Sequence, residues 1–417
     1  MYLDEIVKAQ KRGEAKGITS ICSAHPWVLK TAMHNKTSRD SESLEVLLIE
    51  ATCNQVNQFG GYTGMMPRGF VTYVRDIAEE NNFPFENIIL GGDHLGPNIW
   101  QNEPADSAMQ KSVVMMRDYV QAGFVKIHLD CSMRLGDDPQ NVLDVEVSAK
   151  RAAQLAKVSE ISHPDGCPLP RYVIGTEVPI PGGAHDHEEG VSVTKVEDAQ
   201  QTIEVTREAF YREGLQSAWE RVTAVVVQPG VEFGDDFVLE YRPEKAKELS
   251  RFIENQSMIY EAHSTDYQTR DALKNLVRDH HAILKVGPGL TFAFREAVFA
   301  LAMIENELIA KGERSCILQV LDDVMVKHSE HWKKYYRGDK NEQAFKRKYS
   351  LSDRARYYWV HPEVQNAFIH LMKNLGGKKL PYSLLSQFVG NVDLSAGQVI
   401  DWKIERVLKD YQLACGK

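Results

Sequence analysis

Short apolar runs, each bounded by glycine, proline or polar residues, recur along this chain. They alternate with longer stretches whose apolar residues fall at helical spacing. The runs are GITSIC (17–22), LEVLLIEAT (44–52), NIILGGDH (87–94), FVKIHLDCS (124–132), RYVIGTEV (171–178), RVTAVVVQPG (221–230), SMIYEAHS (257–264) and HAILKVGPG (281–289). Stretches such as ADSAMQKSVVMMRDYVQAG (105–123) and PEKAKELSRFIENQ (243–256) lie between them and repeat their apolar positions every three to four residues. Eight strands alternating with helices predict an α/β fold, a (β/α)8 TIM barrel, over residues 1–312. A doubly wound sheet is the competing architecture, but it usually has fewer strands.

The strand signals then stop. From Arg314 onward the pattern is helical: ILQVLDDVMVKHSEHWKKYY, PEVQNAFIHLMKNL, PYSLLSQFVG and AGQVIDWKIERVLKDYQL. Residues 313–417 therefore read as a C-terminal helical extension, packed on the barrel or on a partner subunit. Its basic stretch HWKKYYRGDKNEQAFKRKYS reads as a solvated helix and loop face.

Charge narrows the function classes. The chain of 417 residues carries a net charge of −9, so no broad basic field is present to hold nucleic acid. No apolar run reaches the roughly 18 residues a membrane span needs. The N-terminal MYLDEIVKAQKRGEAKG lacks the apolar segment of a signal peptide. The six cysteines are scattered without a C-x-x-C pair, as in a reducing compartment. A cytoplasmic protein that binds neither nucleic acid nor membrane is expected.

Barrel enzymes place their chemistry at the C-terminal ends of the strands, so the residue types there decide the reading. The second strand ends in Glu50, Thr52 and Asn54, and the third in Asp93 and His94. In the fourth, alternation puts Lys126, His128 and Asp130 on one face and Val125, Ile127 and Leu129 on the other. The fifth ends in Thr176 and Glu177, and the sixth in Gln228. The seventh sets Glu261 and His263 on one face before Ser264 and Thr265, and the eighth sends Lys285 inward.

So many ionisable groups lining one mouth are costly to bury unless they pair or bind something. His94, Glu177 and His263 form the ligand set of an open divalent-metal site, with His25, His128, His185 and His187 as competing imidazoles. Asp93 and Asp130 are the acid/base candidates, although Asp130 could instead pair with Lys126. Lys126 and Lys285 could form a Schiff base with a ketose or act as simple cations. Ser264, Thr265 and the glycines Gly182, Gly183, Gly287 and Gly289 could offer N–H groups to a phosphate. A phosphate loop of the form G-x-x-x-x-G-K-[ST] is absent.

The stretches CSAHPWV, IEATCNQVNQFGGYTGM, LGGDHLGPN, AGFVKIHLDCSM, YVIGTEVPIPGG, VVQPGVEF and YEAHSTDYQTR with ILKVGPGLTFAFREA closely resemble the GatZ/KbaZ-type family. That resemblance runs from about Cys22 into the helical extension. It implies a subunit of class II tagatose-1,6-bisphosphate aldolase, which serves galactitol and N-acetylgalactosamine breakdown. In that role the chain would support a separate, catalytic class II aldolase subunit. Other relatives are stand-alone, metal-dependent 4-epimerases that interconvert fructose-like and tagatose-like ketohexoses or their phosphates. Some members carry a tagatose-6-phosphate kinase label, which the missing phosphate loop opposes.

The family is also similar to class II aldolases proper, and this carries over residue by residue. Their acid/base and adjacent zinc ligand fall on Asp93 and His94, their glutamate on Glu177 and their last zinc histidine on His263. Where they have a further zinc histidine this chain has Gln228, whose amide oxygen would favour manganese, magnesium or nickel over zinc. The resemblance thus implies metal ligation by His94, Glu177, His263 and Gln228. Asp93 and Asp130 would do acid/base work, and Glu50, Asn54, Lys126, Ser264, Thr265 and Lys285 would contact the sugar. Self-association of the acidic barrel is a further expectation.

Overall fold

Eight parallel strands close into a barrel in a computed structural model that describes residues 1–37, 46–139, 143–175 and 191–416. They are β1 (Ile18–Ile21), β2 (Leu47–Thr52), β3 (Ile88–Leu95), β4 (Lys126–Leu129), β5 (Arg171–Ile174), β6 (Val222–Val226), β7 (Ile259–Ala262) and β8 (His281–Val286). Each strand pairs with its neighbours in sequence, and β8 closes against β1 through Ile18–Ile283 and Ser20–Lys285. A two-stranded ribbon, Glu232–Phe233 with Val238–Leu239, follows β6 outside the barrel. The α/β barrel expected from the periodicity is the fold observed.

The barrel interior is layered by chemistry. At its N-terminal end Ile18, Leu48, Ile89, Val173, Val226, Ile259 and Ile283 form an apolar plug, with Leu3 and Ile6 of the helix Tyr2–Lys11 capping it from below. One layer higher, β1, β2, β4, β7 and β8 contribute Ser20, Glu50, Lys126, Glu261 and Lys285, all buried. Gly91 leaves the space that the Glu50 side chain occupies, since a Cβ there would approach Glu50 Cγ to 2.6 Å. The plug makes the lower half rigid, and the polar layer rests on it.

The helices after Arg314 pack on the barrel wall. Helix Ala396–Ala414 lies along the barrel helices Pro26–Thr37, Arg270–Arg278 and Pro288–Leu308, and its Ile400, Ile404 and Leu408 join the main core. Tyr411 donates a hydrogen bond to the Thr265 carbonyl at 2.7 Å, and Trp27 donates to Asp401 at 2.7 Å. The short turn Arg354–Tyr357 crosses the mouth of the barrel. It is anchored by buried Asp353, which accepts from Thr291 Oγ1 at 2.6 Å and Arg295 Nε at 2.7 Å on the helix following β8. Among the described residues no helix is long and apolar enough to cross a membrane.

Candidate active site at the barrel mouth

The polar layer forms the floor. Lys126, 0% exposed, sits between Glu50, with both oxygens at 2.8 Å, and Glu261 Oε2 at 2.6 Å. Lys285 contacts Asp93 Oδ1 closely and reaches Glu50 Oε2 at 3.3 Å and Glu261 Oε1 at 3.9 Å. Burial works against charge on both lysines, but Glu261 and Glu50 around Lys126, and chiefly Asp93 around Lys285, raise both pKa values. These surroundings favour the ammonium form of both lysines, the form that cannot attack a carbonyl.

Above the floor three imidazoles stand in a triangle. The ring centroids of His94, His128 and His263 are 5.1, 5.0 and 5.1 Å apart. Each ring gives one nitrogen to a buried carboxylate: His94 Nδ1 to Asp130 at 2.7 Å, His128 Nδ1 to Asp93 at 2.9 Å and His263 Nε2 to Glu261 at 2.9 Å. The other nitrogen of His128, Nε2, is buried without a hydrogen-bond partner. Imidazoles that ligate metals characteristically hand their second nitrogen to a carboxylate in this way.

Ligand atoms of Asp93, His128, Glu261 and His263 also lie within 4.8 Å of one another. The four carboxylates Glu50, Asp93, Asp130 and Glu261 face only two ammonium groups, and a divalent cation would neutralise the excess. The donor set therefore fits a divalent metal.

Neighbouring charges, set against burial, decide the direction in which each group's pKa moves. Burial acts to raise the pKa of Asp93, Asp130 and Glu261, but the cations around them win and all three fall below the ordinary carboxylate range. For Asp93 these are His94 and Lys285, for Asp130 the His94 ring, and for Glu261 the two lysines. Burial, reinforced by Lys285, lowers His263 to about 3, so it is neutral and able to ligate. His94 is also opposed by burial, yet Asp93 and Asp130 raise it above its ordinary value.

Local backbone builds this arrangement. His94 and Ser264 adopt left-handed conformations, with φ of 50° and 52°, at the ends of β3 and β7. Gly96 lies against β4 so closely that a Cβ would fall on the carbonyl oxygen of Asp130. Non-glycine residues held at positive φ concentrate where a side chain must be aimed.

A cavity of about 90 Å³ opens over the cluster and is lined by Asp93, His94, His263, Ser264 and Lys285 together with Asn54, Tyr62, Arg356 and Tyr357. It adjoins a cleft of about 710 Å³ that shares Asn54, Tyr62, His94 and Tyr357 and adds Asp130, Lys334 and Arg354.

Residues 3–416 match a family model described as D-tagatose-1,6-bisphosphate aldolase subunit GatZ/KbaZ-like. The chain belongs to the GatZ/KbaZ-like family. It is 50% identical over 423 residues to the D-tagatose-1,6-bisphosphate aldolase subunit GatZ of Salmonella dublin, covering 99% of both chains. The GatZ subunit of Salmonella typhimurium matches at 50% over 424 residues, again 99% of each. A crystal structure described as a probable tagatose 6 phosphate kinase from Sinorhizobium meliloti 1021 superposes with a TM-score of 0.87 at 45% identity. That match covers 96% of this chain and all of that one.

In this GatZ/KbaZ-like chain the structure brings together Asp93, His94, Asp130, His263, Glu50, Lys126 and Lys285 of the residues singled out from sequence. Ser264 and exposed Asn54 line the cavity. Glu177 lies outside the described residues, as do Gly182, Gly183, His185 and His187.

Gln228 is not brought to the cluster: its amide oxygen accepts the backbone N–H groups of Gly230 at 2.8 Å and Val231 at 3.0 Å. Thr265 is turned away from the cavity, its hydroxyl donating to the Lys285 carbonyl at 2.6 Å and meeting Tyr411. Asp130 pairs with His94 rather than with Lys126. His25 packs on Phe294, centroid to centroid 4.1 Å, away from the imidazole triangle. Gly287 and Gly289 do not offer their N–H groups to a ligand either, because both donate to buried Asp266, at 3.0 and 2.7 Å.

Strand alternation sets Glu261 and His128 inward, but the sequence reading gives Glu261 no role and His128 only the place of a competing imidazole; the structure brings both into the cluster. Sequence reasoning missed Arg354, Arg356 and Tyr357 altogether, since no periodicity says which turn of a helical tail covers a barrel mouth.

Proposed function

We propose that this chain is a D-tagatose-1,6-bisphosphate aldolase subunit that retains a working metal-dependent aldol site and operates with a class II aldolase subunit. The observation that supports this most directly is the triangle of carboxylate-backed imidazoles over a buried excess of negative charge. His128 and His263, whose ligand atoms group with carboxylates of Asp93 and Glu261, are the proposed metal donors, and His94 would join them on giving up the proton that Asp93 and Asp130 favour. The bound metal would polarise the C2 carbonyl of a ketohexose bisphosphate.

The chain's own groups do the rest. Asp93 is ionised at neutral pH; its Oδ1 is engaged by His128 and Lys285, and its Oδ2, 3.6 Å from His94 Nε2, would take the proton from the C4 hydroxyl. As that proton leaves, the C3–C4 bond breaks, a triose aldehyde forms from C4–C6 and the bonding electrons pass into C1–C3 as an enediolate. Lys285, fixed as a cation, faces that developing negative charge. Glu50 and Lys126 touch no substrate in this scheme and position Lys285 from below.

The same set supports a second reading, a ketohexose 4-epimerase. Re-addition of the enediolate to the opposite face of the retained aldehyde would invert C4. The test uses the purified full-length chain, stripped with chelator and resupplied with single divalent metals, with and without a class II aldolase subunit. Substrates are D-tagatose 1,6-bisphosphate, D-tagatose and D-fructose. Metal-dependent triose phosphate supports the aldolase reading, and C4 epimers from the isolated chain support the epimerase reading. No turnover in any combination would overturn both.

A further inference from the structure

In (β/α)8 barrels a phosphate commonly sits after the last two strands, at backbone N–H groups of the loop and helix that follow. In this chain that cradle is filled from within. Asp266, buried, accepts the N–H groups of both Gly287 and Gly289 at the head of helix Pro288–Leu308. A carboxylate in that position excludes a second anion. Phosphate recognition must then come from elsewhere on the mouth.

We infer that the turn Arg354–Tyr357 of the C-terminal extension is an anion subsite that takes a phosphate group of a phosphorylated ketohexose. This rests on the functional reading above and specifies which part of the chain would hold the charged end of its substrate. Arg354 is 3% exposed, its Nε has no hydrogen-bond partner, and its side chain donates from Nη1 to the His331 carbonyl at 3.2 Å and also bonds the Tyr357 hydroxyl. Its guanidinium lies over the Tyr335 ring, 3.1 Å from the centroid. Arg356 is half-buried and spends its N–H groups on the carbonyls of Ser352 and Asp353 and on the Tyr357 hydroxyl.

Among the described residues neither guanidinium forms an ion pair with a carboxylate. Nearby Asp353 is already held by Thr291 and Arg295. A buried guanidinium without an acidic partner is costly in an empty apolar setting and favourable where an anion completes it. The two arginines flank Tyr357, Arg356 facing the small cavity over the imidazoles and Arg354 facing the adjoining cleft, where exposed Lys334 adds a third cation.

The test is titration calorimetry of the full-length protein with D-tagatose 1,6-bisphosphate, inorganic phosphate and unphosphorylated D-tagatose, on the native chain and on R354Q, R356Q and K334Q. Losing a charge-assisted hydrogen bond is worth roughly tenfold or more in affinity. Bisphosphate binding should weaken by about that factor in R354Q and R356Q and by a few-fold in K334Q, with D-tagatose binding unchanged. Thermal melting checks that each variant folds; should either glutamine variant fail to fold, R354K and R356K replace them, and partial retention of affinity is then expected.

Native-like bisphosphate affinity in folded R354Q and R356Q would overturn the subsite, as would equal weakening of D-tagatose and bisphosphate. A chain that binds phosphate through these arginines yet neither turns over nor supports an aldolase subunit would keep the subsite and sink the functional reading.

Discussion

Replacing Lys126 with methionine tests whether the floor of the site is held by charge balance. The ammonium group has no exposure and lies within 2.8 Å of Glu50 and 2.6 Å of Glu261. Methionine keeps the unbranched volume, so packing changes little. What remains is two buried carboxylates sharing Lys285, which stands 3.3 Å from one and 3.9 Å from the other. Removing one partner of a buried pair costs about 3–5 kcal/mol because it strands the other charge. Four kcal/mol is about three powers of ten in the unfolding equilibrium and a large part of a typical total of roughly 5–15 kcal/mol.

The pH dependence should invert as well. In the native chain Glu261 is depressed below its ordinary 4.5, so its stabilisation is present above that pH and is lost as pH falls below it. Without Lys126, its folded pKa rises above the unfolded value, and the variant should lose stability as pH climbs. Urea unfolding followed by tryptophan fluorescence at pH 5 and pH 8 reads both effects. Adding Glu261→Gln to the methionine variant should recover about half of the loss. A cost below 1 kcal/mol for K126M, or a double variant as unstable as the two single costs summed, would refute the argument.

Other outcomes follow from the same geometry. Metal content by mass spectrometry should drop to near zero in His128→Ala and His263→Ala, whereas Gln228→Ala, whose amide only caps a turn, should keep its metal. Gly96→Ala should lower the melting temperature by several degrees and abolish activity, because a Cβ there must push β3 off β4; a native-like melt would contradict this. His281, stacked on Tyr260 at 4.8 Å with both ring nitrogens unpartnered, is lowered to about 3 by burial, with neighbouring His280 adding to the effect. Its contribution is present above the unfolded 6.5 and lost as pH falls through the window from 6.5 to 3. His281→Phe should therefore stabilise the protein by about 1–3 kcal/mol, more at pH 5 than at pH 7.5, as read by calorimetric melting.

Strand positions were legible because a barrel strand is buried on both faces and announces itself as a compact apolar run between breakers. The inward set was legible for the same reason. Alternation assigns Lys126 and His128 to the face opposite Ile127, and a charged residue inside a barrel has few innocent explanations. Ligand identity was less legible. His94 and His128 look alike as residues at strand ends, and only the carboxylate behind each ring shows how it is aimed. Gln228 reads as a donor from its place after β6, yet its oxygen is consumed two and three residues downstream by the turn it starts. Asp266 filling the N–H cradle, and the tail's arginines reaching the mouth, are contacts between sequence-distant segments, and such contacts leave no trace in local pattern.

Tyr62, from the loop after β2, meets Tyr357 of the tail edge to face at 4.6 Å across the cavity. The walls of one binding chamber are thus supplied from segments nearly three hundred residues apart in the chain. An emerging nascent chain has the charged floor long before it has the roof. Ligand cannot speed the early steps of folding, because its chamber does not yet exist; it can only retard the reverse journey, fastening a later-made segment to an earlier one. Substrate in the cell would then act as a clasp on finished molecules, lengthening their lifetime against proteolysis without raising the yield of folding.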